Sequence, residues 1–420
     1  MRKVISILTV MVLSYGVMAD DSYTFALSYG NVEPDKSVTL DNGITVVSFA
    51  SGTDLNDLGL TAELPDGASV SPDPSSALII DSQPEVFTVT YSDGTIKAFP
   101  YYFTAGRWFS VVIFSDPEVS VSVAQDSLKH WANSIIGMED GGNFAFQEAP
   151  WLTPSPDLVV CLGDMDDSKV TDASEIEAVF DLFTAESIPF VTLCGELDFV
   201  PDYWSDRSYG ATSDGLTYDT VSLGVVTKYL ESAQENGVSD VKVFTQADGT
   251  FQPSPFTFTF NGVRFYAGQT YWFQKTHNYS SDTPTYYAPN DIIDSLEAFV
   301  EAHADEPSVW LQHYPLGCSD GVWEDSVYIS TVVSPSNTAD YSDADDKREE
   351  YEKLVSQTKN PYLFAGHNHE ESATDYTYKL NKATFTEYVT PYFAERGGAY
   401  VVLCHEGEGV KEVQTIYFDF

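Results

Sequence analysis

Acidic side chains follow three apolar runs of the sequence, at the points where buried β-strands would end. The six residues are Asp116 and Glu118 in FSDPEVS, Asp164 and Asp167 in LGDMDD, and Glu196 and Asp198 in CGELD. Imidazoles follow two further runs, with His313 in LQHYP and His367 and His369 in FAGHNHE. Carboxylate oxygens and imidazole nitrogens, without competing thiolates, suit a divalent cation. The sequence therefore predicts a metal site assembled from several strand ends.

Each of these residues also has a simpler interpretation when it is taken alone. An Asp that follows a strand commonly caps the next helix, and an isolated His is commonly a structural residue with satisfied hydrogen bonds. The metal interpretation depends on all the acids and imidazoles occurring together along one chain.

Continuous apolar runs alternate with helix-compatible stretches after residue 106. WFSVVIFSD, PDLVVCLGD and IPFVTLCGE are separated by SLKHWANSIIGM and DASEIEAVFDLFTAES. This alternation predicts an α/β sheet covered on both faces, with ligand sites at the carboxyl ends of its strands. We expect residues 106–420 to form one large domain. Residues 202–281, rich in Tyr, Ser, Thr and Gly, are expected to be an insertion of substrate-shaping loops.

The preceding residues, 20–105, have a different pattern of short strand-like runs and turn signals. Runs such as GITVVSFA and EVFTVTYSDGTIKAF, with turns at Asp-Asn-Gly, Pro-Asp-Gly and Ser-Asp-Gly, predict a small all-β sandwich. The phrases PDGASVSPDPSS and FTVTYSDGTIKAF also resemble the immunoglobulin-like modules of bacterial surface proteins. That resemblance implies a spacer, or a contact with a cell surface or carbohydrate.

The first 19 residues have the pattern of a secretory signal peptide. Arg2 and Lys3 precede an apolar stretch over residues 4–13, and small residues lead up to Ala19. We expect cleavage after Ala19 and a secreted or periplasmic protein. The apolar stretch is too short for a membrane anchor, and no later stretch is long enough to span a bilayer.

Composition excludes several classes of protein. The chain has 20 Lys and Arg against 64 Asp and Glu, a formal charge of −44, and no basic run, so a nucleic-acid-binding surface is not expected. With 26 Tyr, 26 Phe and 43% hydrophobic residues, it is not a disordered acidic protein. Its four cysteines, Cys161, Cys194, Cys318 and Cys404, are too few for a disulfide scaffold.

The motifs of the second region resemble a known family in their order. D-x-(H/E), G-D-x-x-D, G-(N/E)-x-D, H-x-P and G-H-x-H look like those of the calcineurin-like metallophosphoesterases, over residues 106–420, and the run GHNH is the most specific. The resemblance implies an α/β (α+β) fold, a four-layer α/β/β/α sandwich of two β-sheets flanked by helices. It also implies two divalent metal ions at the strand ends and hydrolysis of a phosphate mono- or diester.

The resemblance also assigns roles to individual residues. It implies that Asp116 and His369 hold the first metal, that Asp164 bridges both, and that His313 and His367 hold the second. Asp167 and Asp198 match positions that support the site through hydrogen bonds, and they are the residues we predict to assist catalysis.

The departures from the family pattern concern Glu118 and the run Gly195-Glu196-Leu197. The family usually has His at the position of Glu118, and G-N-H at the later run. Glu118 and Glu196 can still bind metal, whereas Leu197 cannot replace an imidazole that assists the leaving group. Loss of a positioned acid typically lowers the rate by about 10²-fold to 10⁴-fold.

The expected ligand set also has an unusual charge. Four carboxylates, those of Asp116, Glu118, Asp164 and Glu196, would bring two divalent cations to neutrality, whereas the usual two carboxylates leave a net positive centre. A neutral centre attracts a phosphate ester less strongly. Among manganese, magnesium, iron, calcium and zinc, the extra oxygen donors favour the harder cations.

Three functions are compatible with these features. The first is a secreted, metal-dependent phosphoesterase-like hydrolase that acts on a phosphate-ester small molecule or a phosphodiester. The second is a catalytically weak or inactive pseudoenzyme with a cation- or ligand-binding role, which Leu197 favours. The third, an acidic adhesin or matrix component, leaves the ordered motifs unexplained.

Overall fold

The computed structural model describes most of the chain. The described residues are 23–40, 43–81, 83–118, 125–137, 145–152, 155–165, 173–195, 198, 220–244, 255–268, 290–313, 315–316, 351–367, 371–377, 383–391, 393 and 397–417. The chain divides into two compact units, Met1–Arg107 and Trp108–Phe420. The expected signal peptide, residues 1–19, lies outside the described residues. Among the described helices, none has the length and apolar character needed to cross a membrane.

The N-terminal unit is built from short strands. They are β1 (Ala26–Tyr29), β2 (Lys36–Thr39), β3 (Thr45–Phe49), β4 (Leu60–Glu63), β5 (Ser69–Ser71), β6 (Pro84–Thr90) and β7 (Ile96–Ala105). Strands β1 and β4 pair with each other, and the remaining five form a sheet of order β2-β3-β7-β6-β5. Val47, Phe87 and Phe103 are fully buried between them. Apart from two 3-10 turns, the only regular structure among the described residues of this unit is β-strand, whereas its likeness to immunoglobulin-like modules stays a prediction.

The second unit contains two mixed β-sheets. Its strands are β8 (Trp108–Phe114), β9 (Leu158–Cys161), β10 (Phe190–Thr192), β11 (Ser239–Val243), β12 (Phe256–Phe260), β13 (Val263–Ala267), β14 (Pro307–Leu311), β15 (Lys359–Ala365), β16 (Ser372–Thr377), β17 (Thr384–Val389), β18 (Gly398–His405) and β19 (Gly409–Tyr417). Sheet I has the order β10-β9-β8-β18-β19, and sheet II the order β11-β12-β13-β14-β15-β17-β16. Strands β8, β9 and β10 are parallel, as are β13, β14, β15 and β17.

Helices cover the outer face of each sheet. They are α1 (Gln125–Ile136), α2 (Ser174–Ala185), α3 (Thr220–Glu235) and α4 (Asn290–Ala302), together with helical residues 351–357, which we call α5. On sheet I, the ring of Phe114 lies 4.7 Å from that of Trp131 in α1. On sheet II, Trp310 packs in one buried cluster with Leu296 of α4 and Tyr351 of α5. Side chains alternate between the two faces of each strand. The face of each sheet that the helices do not cover therefore packs against the other sheet.

Aromatic side chains join the inner faces of the two sheets. The rings of Phe109 in sheet I and Phe260 in sheet II are 5.4 Å apart, and those of Tyr400 and Phe364 are 6.1 Å apart. The Tyr400 hydroxyl donates a hydrogen bond of 2.7 Å to the carbonyl of Val389 on sheet II. The predicted four-layer α/β/β/α arrangement is therefore confirmed.

The segment expected to be an insertion of loops contains regular structure instead. Within residues 202–281, helix α3 covers sheet I, and β11, β12 and β13 form one side of sheet II. The expectation was wrong there because aromatic and β-branched residues, as in the strand FTFTF, favour strands when their side chains pack into a core. The rest of that segment, residues 202–219, 245–254 and 269–281, lies outside the described residues.

Candidate metal centre

Candidate ligands follow four parallel strands, two from each sheet. Asp116 follows β8 and Asp164 follows β9 in sheet I, while His313 follows β14 and His367 follows β15 in sheet II. Because the sheets pack face to face, the carboxyl ends of these strands meet at one edge. Asp116 and Asp164 are each 2% exposed and His313 is fully buried.

Three of these side chains are close enough to bind one cation. Asp164, His313 and His367 each offer a donor atom, and these atoms all lie within 4.8 Å of one another. The Nε2 atom of His313 is 3.3 Å from Oδ2 of Asp164 and 3.9 Å from Oδ1 of Asp116. The rings of His313 and His367 have centroids 5.5 Å apart. One carboxylate and two imidazoles in this arrangement form a mixed oxygen and nitrogen site for a divalent cation.

A hydrogen bond across the two sheets fixes the orientation of the His313 ring. Its Nδ1 atom lies 3.0 Å from the carbonyl oxygen of Leu162. A carbonyl oxygen only accepts, so Nδ1 carries the proton. Nε2 faces Asp164, where its lone pair would be available to a cation. Metal-binding histidines commonly have their second nitrogen held by a backbone carbonyl in this way.

Asp116 connects the two sides of the centre. Its Oδ2 atom accepts a hydrogen bond of 3.1 Å from the backbone N–H of His367, and its own N–H donates to the carbonyl of Gly163 at 3.0 Å. Glu118 is 9% exposed, and its N–H donates to the carbonyl of Asp164 at 3.1 Å. The loops after β8 and β9 are therefore held together by backbone hydrogen bonds beside the ligand cluster.

The backbone at the candidate ligands is strained. Residues with positive φ include Asp116 (58°), Glu118 (41°), Asp164 (51°) and His367 (67°). A non-glycine residue in this region is uncommon and costs roughly 1–3 kcal/mol unless its surroundings compensate. Four such residues around one cluster indicate that the fold holds these side chains in place for a purpose other than stability.

Glycines allow the close approach of the strand ends. A Cβ atom on Gly195 would lie 2.0 Å from Oδ1 of Asp164, and one on Gly366 would lie 2.0 Å from Oγ of Ser115. Any larger residue at either position would displace the loops that carry Asp164 and Asp116. Each glycine directly precedes an expected ligand in the sequence, in CGE and AGH, but its close packing is evident only in the structure.

Asp198 joins the loops that follow β9 and β10. Its carboxylate is fully buried and accepts two backbone hydrogen bonds, from Met165 at 3.0 Å and from Gly195 at 2.7 Å. Both donors are next to candidate ligand positions. This geometry suits the supporting role expected for Asp198.

Four of the residues singled out in the sequence lie outside the described part of the chain. They are Asp167, Glu196, Leu197 and His369. The structure thus brings together Asp116, Asp164, His313 and His367, and places Glu118 beside them. The metal-ligand roles of all seven expected residues stay predictions.

The donor set fits a cation on electrostatic grounds. The carboxylates of Asp116 and Asp164 are buried, and each has an oxygen within 4 Å of Nε2 of His313. Several buried charges of one sign are costly unless a group of opposite charge neutralises them. A divalent cation bound by Asp164, His313 and His367 would do so.

Comparisons with known proteins give distant structural likenesses. No family model and no curated protein matches the chain. Among the solved structures that match is the NAD nucleotidase of Haemophilus influenzae, at 9% sequence identity and a TM-score of 0.35. The match covers 74% of this chain and 50% of that structure, so the chain spans about half the length of this neighbour. We therefore base the function on the chain's own residues.

Proposed function

We propose that the protein is a secreted or periplasmic, metal-dependent phosphoesterase-like hydrolase with a dinuclear site. The observation that carries this proposal is the cluster of Asp164, His313 and His367 at the meeting strand ends of an α/β/β/α sandwich. In α/β proteins, ligand and catalytic sites lie at those ends. The sequence motifs that resemble the calcineurin-like metallophosphoesterases lie on the same residues.

The two cations would be held by overlapping sets of ligands. His313 and His367 would bind one cation, Asp116 and His369 the other, and Asp164 would bridge them. Glu118 and Glu196 would add oxygen donors, which favours manganese, magnesium or calcium over zinc. Bound cations of this kind polarise a phosphoryl oxygen and lower the pKa of water.

The protein's own residues orient the site. Leu162 holds the protonated Nδ1 of His313, so that Nε2 faces Asp164. Asp198 holds the backbone of Met165 and Gly195 and thereby keeps the ends of β9 and β10 in register. Pre-orientation of this kind reduces the entropy that binding and reaction would otherwise cost.

The chemistry of Leu197 limits the substrates on which the enzyme can act well. A leucine has no proton to donate to a departing alkoxide, so esters of poor leaving groups should react slowly. An aryl phosphate has a stable leaving group and needs no such acid. We therefore expect activity on activated phosphate mono- or diesters to exceed that on alkyl esters.

A second candidate function keeps the fold and the cation site without turnover. Leu197 is the observation that favours such a pseudoenzyme, which would bind cations or a ligand while the N-terminal unit contacts a cell surface or carbohydrate. Turnover measurements separate the two functions.

The test is hydrolysis of an aryl phosphomonoester and an aryl phosphodiester by the purified protein with added manganese. We expect hydrolysis that a chelator abolishes and that His367→Ala reduces to background. The control is His130→Ala, which removes an exposed imidazole of α1 and should leave the rate unchanged. Bound metal without hydrolysis of either ester would favour the pseudoenzyme instead.

A further inference from the structure

A buried glutamate lies on the helix-covered face of sheet II. Glu387 is on β17 and is 2% exposed. Its strand neighbours Phe385 and Val389 are apolar and buried, and Phe385 belongs to the core cluster under α4 and α5. A carboxylate is expensive to bury in such a place, so its retention calls for a specific partner.

The backbone of the segment after His313 supplies that partner. The N–H of Leu316 donates a hydrogen bond of 2.6 Å to Oε1 of Glu387. Leu316 is fully buried and lies in the same apolar cluster. A short hydrogen bond from a backbone N–H to a carboxylate is roughly twice as strong as one between neutral groups.

The hydrogen bond spans two strands of the sheet. His313 follows β14, whereas Glu387 is on β17, with β15 between them. Two strand spacings amount to about 10 Å. The chain after His313 must therefore cross the helix-covered side of β15, and Glu387 holds it there through the backbone of Leu316.

His313 is held from both sides as a result. Its side chain reaches toward sheet I, where Nδ1 meets the carbonyl of Leu162 and Nε2 faces Asp164. Its backbone carbonyl accepts a hydrogen bond of 2.8 Å from Gly366, and three residues later the chain is held by Glu387. Loss of the Glu387 hydrogen bond would let the segment after His313 shift, and the imidazole would shift with it.

Tyr351 of α5 lies close to Glu387 on the helix-covered face of sheet II. Burial, and secondarily the nearby Glu387 carboxylate, raise the pKa of Tyr351 in α5 well above its ordinary value. Tyr351 and Leu316 are both in the cluster that packs on sheet II.

We propose that Glu387 is a positioning residue for the cation site, because it anchors the His313 loop and thereby sets the position of the His313 imidazole. This inference rests on the proposed function, since it assumes that His313 binds a cation. Neither the sequence motifs nor their family resemblance include Glu387. Supporting residues around a metal site commonly contribute about 10-fold to 100-fold in affinity.

The test measures manganese affinity by calorimetry and stability by urea unfolding in chelator, for the full chain and three variants. Glu387→Gln retains an acceptor oxygen at the same length, and we expect affinity within about threefold of the parent, a small loss relative to full removal of the acceptor. Glu387→Met fills the same space without an acceptor and should weaken manganese binding by about tenfold or more. Phe385→Leu, on the same strand and face, is the matched control and should lower stability while leaving affinity unchanged.

A fourth variant, Glu387→Asp, keeps the inference testable if Glu387→Met fails to fold. It keeps the charge but withdraws the oxygen by one methylene, so we expect affinity between those of the parent and Glu387→Met. A folded Glu387→Met or Glu387→Asp with parental affinity would overturn the inference and leave the proposed function standing. A parent chain that binds no manganese would overturn the proposed function, and the inference with it.

Discussion

Individual residues at the candidate metal centre occupy backbone conformations that most residues avoid. Asp116, Asp164 and His367 all have positive φ, and each is held by hydrogen bonds or packing from a neighbouring strand end. The strain is compensated by the rest of the fold, as is usual where function requires a fixed geometry. The surrounding fold therefore holds these side chains in fixed positions at one edge of the sandwich.

A substitution at Gly195 tests how closely the chain after β10 approaches Asp164. We expect Gly195→Ala to destabilise the protein by about 1–3 kcal/mol, because its Cβ would overlap the backbone and carboxylate of Asp164. Manganese affinity should fall as well, since Asp164 must move. Urea unfolding and calorimetric titration measure the two effects.

The matched control is Gly224→Ala, in the exposed part of helix α3, where a Cβ has open space. It should raise stability by about 0.5–1 kcal/mol, the usual gain from replacing a helical glycine. If Gly195→Ala were as stable as the parent and bound manganese equally well, the described packing at Asp164 would be incorrect.

The expected ligands could be predicted from the sequence because they lie in motifs, whereas the contacts that hold them could not, because those contacts come from distant parts of the chain. Asp164, His313 and His367 each end a recognisable apolar run. Gly195 follows β10, and helix α2 lies between Asp164 and β10 along the chain. Glu387 lies in the strand TFTEYV, which belongs to no motif. Its proposed role follows only from the hydrogen bond that it accepts from Leu316, in the segment after His313.

Among the elements, the continuous apolar runs were the most predictable. LVVC and FVT became central parallel strands because buried strands need apolar side chains on both faces. Residues 239–243, 256–260 and 263–267 lie in a segment expected to be loops, yet they form β11, β12 and β13. Their polar Thr and Arg residues are also common in loops. The burial of these strands depends on packing against distant parts of the chain.

The cysteines test the burial of sheet I. Cys161 on β9, Cys194 after β10 and Cys404 on β18 are fully buried and are not in disulfides, and burial raises the pKa of the Cys161 and Cys404 thiols. In a Cys318→Ser background, we expect negligible reaction with a thiol reagent at pH 8 and reaction of all three cysteines after unfolding. Burial shields all three thiols from the reagent. The raised pKa also keeps the Cys161 and Cys404 thiols protonated at that pH, and only the thiolate reacts.

Glu231→Cys, on the exposed face of α3, is the positive control for this labelling and should react at once in the folded protein. Rapid labelling of the native background protein would contradict the buried arrangement of the sheet.

The whole molecule combines a formal charge of −44 with buried carboxylates at one edge of a four-layer sandwich. High net charge keeps a protein soluble but opposes compaction through self-repulsion. Cations that bind the folded form would offset part of this repulsion at the centre and stabilise the fold, by about 2.7 kcal/mol at a hundredfold excess over the dissociation constant.

The most direct measurement of the central claim is the metal content of the purified full chain, by elemental analysis after stripping with chelator and reloading with manganese. We predict two equivalents for the parent chain and a clear loss for the double variant His367→Ala, His369→Ala. His130→Ala is the control and should retain the parental content. No bound manganese in the parent chain, or equal content in the double variant, would contradict a metal centre at these strand ends.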